Sequence, residues 1–315
     1  MPRKARYSPT RRPIVKRHIS VASITRQTVR KYTSAMNSFF KWRKAKGLCA
    51  QPDLIELDLQ LGNYLNYLYQ NDLPLYLGTN CIAGFKKFHP RCKRQLETAS
   101  TWLNNWSRVA AKVQAMPLHP VLVKAFVAYG ILRKEPDFAL SIYVGFLALL
   151  RGCEIFNFRM CDVQPRGPRQ VNLILRGTKG AKRRGVEFET VTVKDPVVVK
   201  NLLKRKAQGT ARLFAGREAH FAALYKDAVN FFRLRHPKPT PHGIRRGGAS
   251  WHFGVHGSYD RTVEHGRWAT ITSARVYINE AAAEEAAQSP CAVGQERIND
   301  AVSLCPTLLR RTFGV

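Results

Sequence analysis

The sequence is short of acid. Of its 315 residues, 21 are Asp or Glu against 52 Lys or Arg, a formal charge of +31 and a pI near 10.4. Such an excess repels itself unless a polyanion neutralises it, and nucleic acid is the usual one. Long apolar runs are missing too. The longest, Phe138 to Leu150, falls short of the roughly 20 residues that span a bilayer. Neither a basic amphipathic helix nor a lipidation signal points to a membrane surface. No secretory leader is expected, since the first twenty residues hold seven Lys/Arg and no acid. Cys-x-x-Cys spacing is absent. The seven cysteines (Cys49, Cys81, Cys92, Cys153, Cys161, Cys291 and Cys305) are odd in number and scattered. That argues against a disulfide framework or a zinc site and fits a reducing compartment. Carboxylates do not cluster as a two-metal nuclease needs for Mg²⁺. No metal and no cofactor is expected.

What is present is enough chain for two domains, with an ordinary 45% hydrophobic content. Residues 1–20 read as a basic, flexible tail. From Ser23 the pattern turns helical: Ile24, Thr28, Tyr32, Met36, Phe39 and Phe40 recur mostly at three- or four-residue steps, until Gly47. Leu57, Leu61, Tyr64, Leu65 and Leu68 mark a second helix, 79–89 a third and 94–112 a fourth. A helical domain over 21–113 follows, with Phe39, Phe40, Tyr64, Trp102 and Trp106 at core spacing. Residues 114–119, with Pro117, read as a linker, and 120–315 as a second domain. There 120–133 and 137–156 read as helices. Val171, Leu173 and Leu175 alternate as a strand, GTKGAKRRG reads as a Gly-rich turn, and VEFETVTV returns as a strand. Helices follow over 195–206, 218–234 and 279–288, and the remainder packs on its own domain or on a neighbouring subunit. The fold class is therefore mainly α with a small β-hairpin.

The chain is organised around 241–277, PHGIRRGGASWHFGVHGSYDRTVEHGRWATITSARVY. Thr240 suits a helix cap and Pro241 the first helical position. His242 and Arg245 then share one helical face. Trp268 lies nine residues before Tyr277, which closes a short helical pattern with Ala274 and Ile278. A histidine, an arginine, an indole and a phenol in one segment suit a DNA phosphate that Tyr277 attacks. Upstream, Arg151 closes an apolar run in LLRGCE, and Glu154 one turn later suits a charge-assisted hydrogen bond to its guanidinium.

With these residues in place, the chain from about Ser23 to Asn279 resembles the tyrosine recombinase (phage integrase) family. The resemblance implies a helical core-binding domain and a mixed catalytic domain that together clamp a duplex. It implies a catalytic set in which Arg151 is the first arginine, with Glu154 as its acidic neighbour. Lys179 in GTKGAK is the hairpin lysine, and His242 and Arg245 form the His-x-x-Arg pair. Trp268 stands at the His/Trp position and Tyr277 is the nucleophile. Many members have Leu-Gly-His where this chain has Gly266-Arg267-Trp268; tryptophan occurs there in some, and His265 is out of register for the role. Trp268 either packs or donates its N–H to the phosphate.

In that chemistry Arg151 and Arg245 offset the phosphate charge bidentately, which lysine does not reproduce. A phenol needs help from a base or a positive field, and His242 suits a proton acceptor or a hydrogen bond to the phosphate. Lys179 is the expected general acid for the leaving 5′-oxygen, a contribution of ~10²–10⁴-fold. The product is a 3′-phosphotyrosyl link, and recombination then needs a tetramer on duplex DNA, with the C-terminal tail as the expected subunit contact. Phosphate contacts are expected from Arg26, Arg30, Lys31, Lys41 and Lys44 in the first domain and from Lys182, Arg183, Arg184 and Arg246 in the second. Three alternatives remain open: a non-catalytic DNA-binding protein of the same fold, a type IB topoisomerase-like enzyme, and an RNA-binding protein, which would need exposed aromatic platforms. By analogy the GRW letters point to a mobile genetic element. The expected location is intracellular, with DNA.

Overall fold

In a computed structural model the protein is described at His18 and over residues 23–110, 115–234, 239–288 and 290–314. The expected basic tail lies outside these residues apart from His18. Two compact units divide the chain between Val113 and Gln114.

Among the described residues the first unit contains four α-helices: α1 (Arg26–Ala45), α2 (Leu54–Gln70), α3 (Leu75–Phe88) and α4 (Glu97–Val109). Local chemistry sets their ends. Thr25 Oγ1 accepts from the Thr28 N–H at 3.1 Å and Asp53 Oδ1 from the Glu56 N–H at 2.8 Å, each satisfying a donor that the first helical turn leaves open. Gly47, at φ +65°, closes α1. Helix α4 has no side-chain cap of its own. The buried Asp58 of α2 supplies one, accepting from the Thr98 and Ala99 N–H groups at 2.8 and 2.9 Å. Phe39 centres the core, edge-on to Tyr64 and Phe85 at 5.4 and 5.5 Å. Phe40 and Trp102 depart from their expected core places: they are 37% and 41% exposed, each on the outer edge of its helix stripe. Arg26, Arg30, Lys31, Lys41 and Lys44 are all exposed on α1.

The second unit begins with a correction. The stretch read as a linker is a packed strap: Met116 and Leu118 are buried in the core, and the Leu118 N–H donates to the Gly243 carbonyl at 2.9 Å. Helices α5 (Pro120–Leu132) and α6 (Pro136–Leu147) follow. The single helix expected over 137–156 is broken, and only Gly152–Asn157 resumes it, as α7. Leu149 is left-handed at φ +49°, with Leu149 N–H to Phe146 O at 3.4 Å and Leu150 N–H to Gly145 O at 2.9 Å. This is a Schellman-type stop without the usual glycine, which is why pattern reading runs through it. The break makes Arg151 the N-cap of α7.

A three-stranded antiparallel sheet follows in the order β1 (Val163–Pro165), β2 (Val171–Arg176), β3 (Phe188–Val193). Val171 pairs with Val193 and Leu173 with Val191, so the inward residues share one face. β1 went unread because three residues ending in proline carry no period. The connection read as a Gly-rich turn contains a short helix, α8 (Lys179–Arg184). Thr178 Oγ1 caps it on the Ala181 N–H at 2.9 Å, and Gly185 ends it at φ +70°. Helices α9 (Pro196–Ala207), α10 (Glu218–Phe231), α11 (His242–His256), α12 (Tyr259–Gly266), α13 (Ile271–Arg275), α14 (Glu280–Gln288) and α15 (Ala292–Phe313) complete the unit. α15 lies on α5 and buries Ile298, Ala301, Cys305 and Phe313 in the same core. Of the two places expected for the C-terminal segment, its own domain and a neighbouring subunit, the buried stripe of α15 occupies the first. No helix among the described residues is long and apolar enough to cross a membrane.

Gly243 and Gly247 seat α11 against the strap. A Cβ on Gly247 would stand 1.9 Å from the Leu118 carbonyl oxygen, and one on Gly243 2.2 Å from that of Met116. Neither neighbour is a flexible side chain, so the backbone itself would have to move. Gly247→Ala is expected to lower stability by about 2–3 kcal/mol, read as a reduced urea midpoint. An unchanged midpoint would mean the strap is loosely held.

Candidate active site

Helix α11 starts at Pro241 rather than at a Thr240 side-chain cap. The Thr240 carbonyl accepts from the Gly243 N–H at 2.7 Å, and the Tyr225 hydroxyl holds the same carbonyl at 3.0 Å. One turn in, Arg245 is 0% exposed. Its Nη1 donates to the Leu149 carbonyl and its Nη2 to the Gly266 carbonyl at 2.7 Å. The guanidinium lies 4.5 Å from the centre of the Trp268 ring and 5.5 Å from that of Tyr277. Two of its five N–H donors are thus engaged by backbone, and Nε makes no hydrogen bond. Burial lowers its pKa, and Arg267 and Arg151 add to that; Glu154 opposes it.

Arg151 caps α7, where Glu154 occupies the third position. Glu154 Oε2 accepts from the Arg151 N–H at 2.9 Å and Oε1 from its Nη1 at 2.6 Å. The expected contact is thus present, doubled by the cap. Glu154 is buried and central, with Arg267 Nη2 at 2.8 Å and Arg245 Nη1 at 3.9 Å. Burial works to raise its pKa, but Arg267, the Arg151 N–H, Arg151 and Arg245 together hold it below the usual carboxylate range.

Tyr277 follows α13, its N–H bonded to the Ala274 carbonyl at 2.8 Å. The Asn279 N–H donates to Ser250 Oγ at 2.8 Å and ties this segment back to α11. The phenol ring is half-buried between His242 at 5.5 Å and Trp268 at 5.0 Å. Trp268 is 8% exposed, and its buried Nε1 makes no hydrogen bond. His242 is solvent-reachable, yet its pKa lies below the ordinary value, first through lost hydration and then through Arg245, Arg246 and Arg151. At neutral pH its ring is therefore uncharged and able to accept a proton.

Tyr277 lies against His242, Trp268 and Arg245, Arg245 also lies against Trp268, and Arg151 joins them through Glu154. Lys179 stands apart. It is exposed at the start of α8, on the rim of a cavity of ≈ 370 Å³ that Glu154 and Thr178 also line. It makes no hydrogen bond or ion pair with the other five among the described residues. Lys182 and Arg183 are exposed. Arg184 is instead paired with Glu189. Arg246 is 4% exposed, 6.0 Å from the Tyr277 ring, because it faces inward from α11 rather than outward to solvent.

Sequence reading missed Arg267 and Glu189. Arg267 is buried, left-handed at φ +59° at the end of α12, where a glycine or asparagine would be ordinary. It donates to the Ala148 and Leu149 carbonyls at 3.1 Å each and to Glu154. Glu189 shares the inward face of β3 with Val191 and Val193, a period-two position at which a carboxylate must find partners.

Three histidines lie ring to ring nearby, His252 stacked on His265 and tilted against His256. His252 lies 4.5 Å from His265 and 4.3 Å from His256. His265 Nε2 donates to the Leu147 carbonyl at 2.7 Å. Thr262 Oγ1 already donates to the Ser258 carbonyl, so it accepts from His252 Nδ1 at 2.9 Å. Burial, then His265 and His256, depress His252 from 6.5 to about 3. A depressed histidine favours the fold while it is neutral, so that contribution is complete above pH 6.5 and is lost as pH falls toward about 3. Stability is expected to drop by about 1 kcal/mol per pH unit between pH 7 and 5. His252→Gln should flatten that slope in urea titrations; an unaltered slope would remove His252 as its source.

No family model matches the sequence, and no curated protein matches it. Solved structures do. One is the XerH site-specific recombinase bound to palindromic difH substrate in a post-cleavage complex. It is 16% identical, with 80% of this chain and 75% of that one covered and a TM-score of 0.56. A lambda integrase dimer bound to a COC′ core site is 13% identical over 82% and 73% of the chains, with a TM-score of 0.57. The Tn1549 transposon integrase with transposon right end DNA is 13% identical over 82% and 90%, with a TM-score of 0.54. At these identities the likeness is one of fold, and the fold is that of the tyrosine recombinases.

Proposed function

We propose that this protein, built on the tyrosine recombinase fold, cleaves and rejoins DNA strands through a covalent link on Tyr277. The observation that carries the reading is the setting of the Tyr277 ring: an uncharged histidine on one side, an unpartnered indole N–H on the other, and buried arginines beneath. Arg151, Arg184, Arg245 and Arg267 face Glu154 and Glu189, four guanidinium groups against two carboxylates. The remaining positive charge suits one phosphodiester.

In the proposed step Tyr277 Oη attacks phosphorus and passes its proton to His242. The Oη–P bond forms and the P–O5′ bond breaks. Arg151 and the free N–H groups of Arg245 hold the non-bridging oxygens, which gain charge in the transition state. Trp268 Nε1 donates to one of them. Lys179 moves in from the α8 rim to protonate the leaving oxygen. The phosphotyrosyl ester keeps the bond energy, so a 5′-hydroxyl reverses the step without ATP.

Duplex DNA is the proposed partner, supported by the five exposed cations of α1, by the overall charge, and by the DNA held in the similar structures. A DNA-bound multimer and an origin in a mobile genetic element are proposed on the same likeness. The test is covalent trapping. The protein is incubated with a pool of nicked duplexes and a chelator, denatured in SDS, and the attached DNA is sequenced. An adduct is expected; its absence for every duplex, with binding intact, would favour a DNA-binding protein that retains only the fold.

A further inference from the structure

The residue between Gly266 and Trp268 has an unusual position. Arg267 is buried in a left-handed backbone conformation that costs energy for a residue with a Cβ, and its guanidinium faces two carboxylates that serve different parts of the site. On one side, Nη2 holds Glu154 Oε2 at 2.8 Å, and Glu154 in turn holds Arg151 by side chain and backbone. On the other, Nε stands 3.8 Å from Glu189 Oε2. That same oxygen accepts from Thr178 Oγ1 at 2.5 Å, and Thr178 is the cap of the short helix that begins with Lys179. The Ala148 and Leu149 carbonyls fix the fork from a third direction.

We infer that Arg267 is a positioning residue that sets the hairpin lysine against the phosphate-binding arginine. Through Glu154 it orients Arg151; through Glu189 and Thr178 it anchors the root of α8 and so the range over which Lys179 moves. Lys179 has no direct tie to the other site residues, so this buried path is what places it. A lysine at position 267 would have a single point of charge and no fork to span two carboxylates. The inference rests on the proposed strand-cleavage reading for its consequence, but not for the tether itself.

Two measurements separate the two. The first uses DNA-free protein and amide hydrogen exchange. Arg267→Asn, which tolerates the left-handed backbone, is expected to speed exchange ~10-fold in both 151–157 and 177–187. Glu189→Gln is expected to do so in 177–187 alone, through its direct hold on Thr178 and Arg184; Arg267→Lys, charged but without the fork and expected to speed both segments, decides the tether should Arg267→Asn fold poorly. Unchanged exchange in 177–187, or a uniform rise that includes α5 and α15, would overturn the tether.

The second uses the duplex recovered by trapping, made with oxygen or with sulfur at the 5′-bridging position of the cleaved phosphate. Sulfur leaves without a proton. Arg267→Asn is expected to slow single-turnover adduct formation ~100-fold on the oxygen substrate. The deficit should shrink at least ~10-fold on sulfur, as it should for Lys179→Ala. Equal deficits on both substrates would overturn the coupling to Lys179. Should the wild type form no adduct, the cleavage reading falls, and the exchange result still decides the tether.

Discussion

Tyr277→Phe is expected to bind DNA as the wild type does and to leave none attached after denaturation. The change removes one oxygen from a half-buried ring whose packing against the cluster of Leu149, Ala249, Trp268 and Ala274 remains. The ring's T-shaped contact with His242 depends on ring geometry rather than on the hydroxyl. Folding should therefore be unaffected, and the loss of adduct should be complete, because among the described residues Tyr277 is the phenol that lies against Arg245. Tyr259, the nearest tyrosine in sequence, packs on Phe253 and Arg275 instead. SDS-resistant DNA persisting in Tyr277→Phe would sink the assignment of the nucleophile.

Arg245→Ala is expected to slow cleavage about 10³-fold while DNA affinity falls by only a few-fold. The side chain is fully buried and holds the Leu149 and Gly266 carbonyls, the ends of α6 and α12. Truncation orphans both acceptors, so a stability loss of about 3 kcal/mol should accompany the rate effect. Arg245→Lys separates the two. It restores charge and part of the packing, so stability should largely return, but without the fork the rate should not. Equal loss of binding and cleavage in Arg245→Ala would count against a catalytic role. Recovery of rate in Arg245→Lys would show that charge alone suffices there.

The legible parts of this protein are those with local causes. The charge excess is compositional. The first-unit helices follow from apolar spacing. Strands β2 and β3 follow from period-two alternation, and His242 and Arg245 share a face because they are one turn apart. The parts that were not legible have partners far away in the chain. Arg246 sits one residue from Arg245 and looks like any basic surface residue, yet the turn of α11 faces it inward beside Tyr277. Phe40 beside Phe39 shows the reverse, an aromatic at plausible core spacing that the helix turns outward. Residues 114–119 carry Pro117 and read as a linker, but the bare glycine face of α11 lets the strap lie in the core.

By itself the sequence determined a basic, mostly helical, two-unit chain and the segment in which a histidine, an arginine, an indole and a phenol would meet. Only the tertiary structure decided how they are held. The left-handed Leu149 costs about 1–2 kcal/mol against continuing the helix, and no local signal favours it. It persists because the carbonyls it frees, with those of Leu147 and Ala148, accept hydrogen bonds from Arg245, Arg267 and His265, about a hundred residues on. That stop in turn starts α7 at Arg151 and brings Glu154 beneath the site. A left-handed break with distant partners has no period and no motif; its stability exists only once both ends are in place.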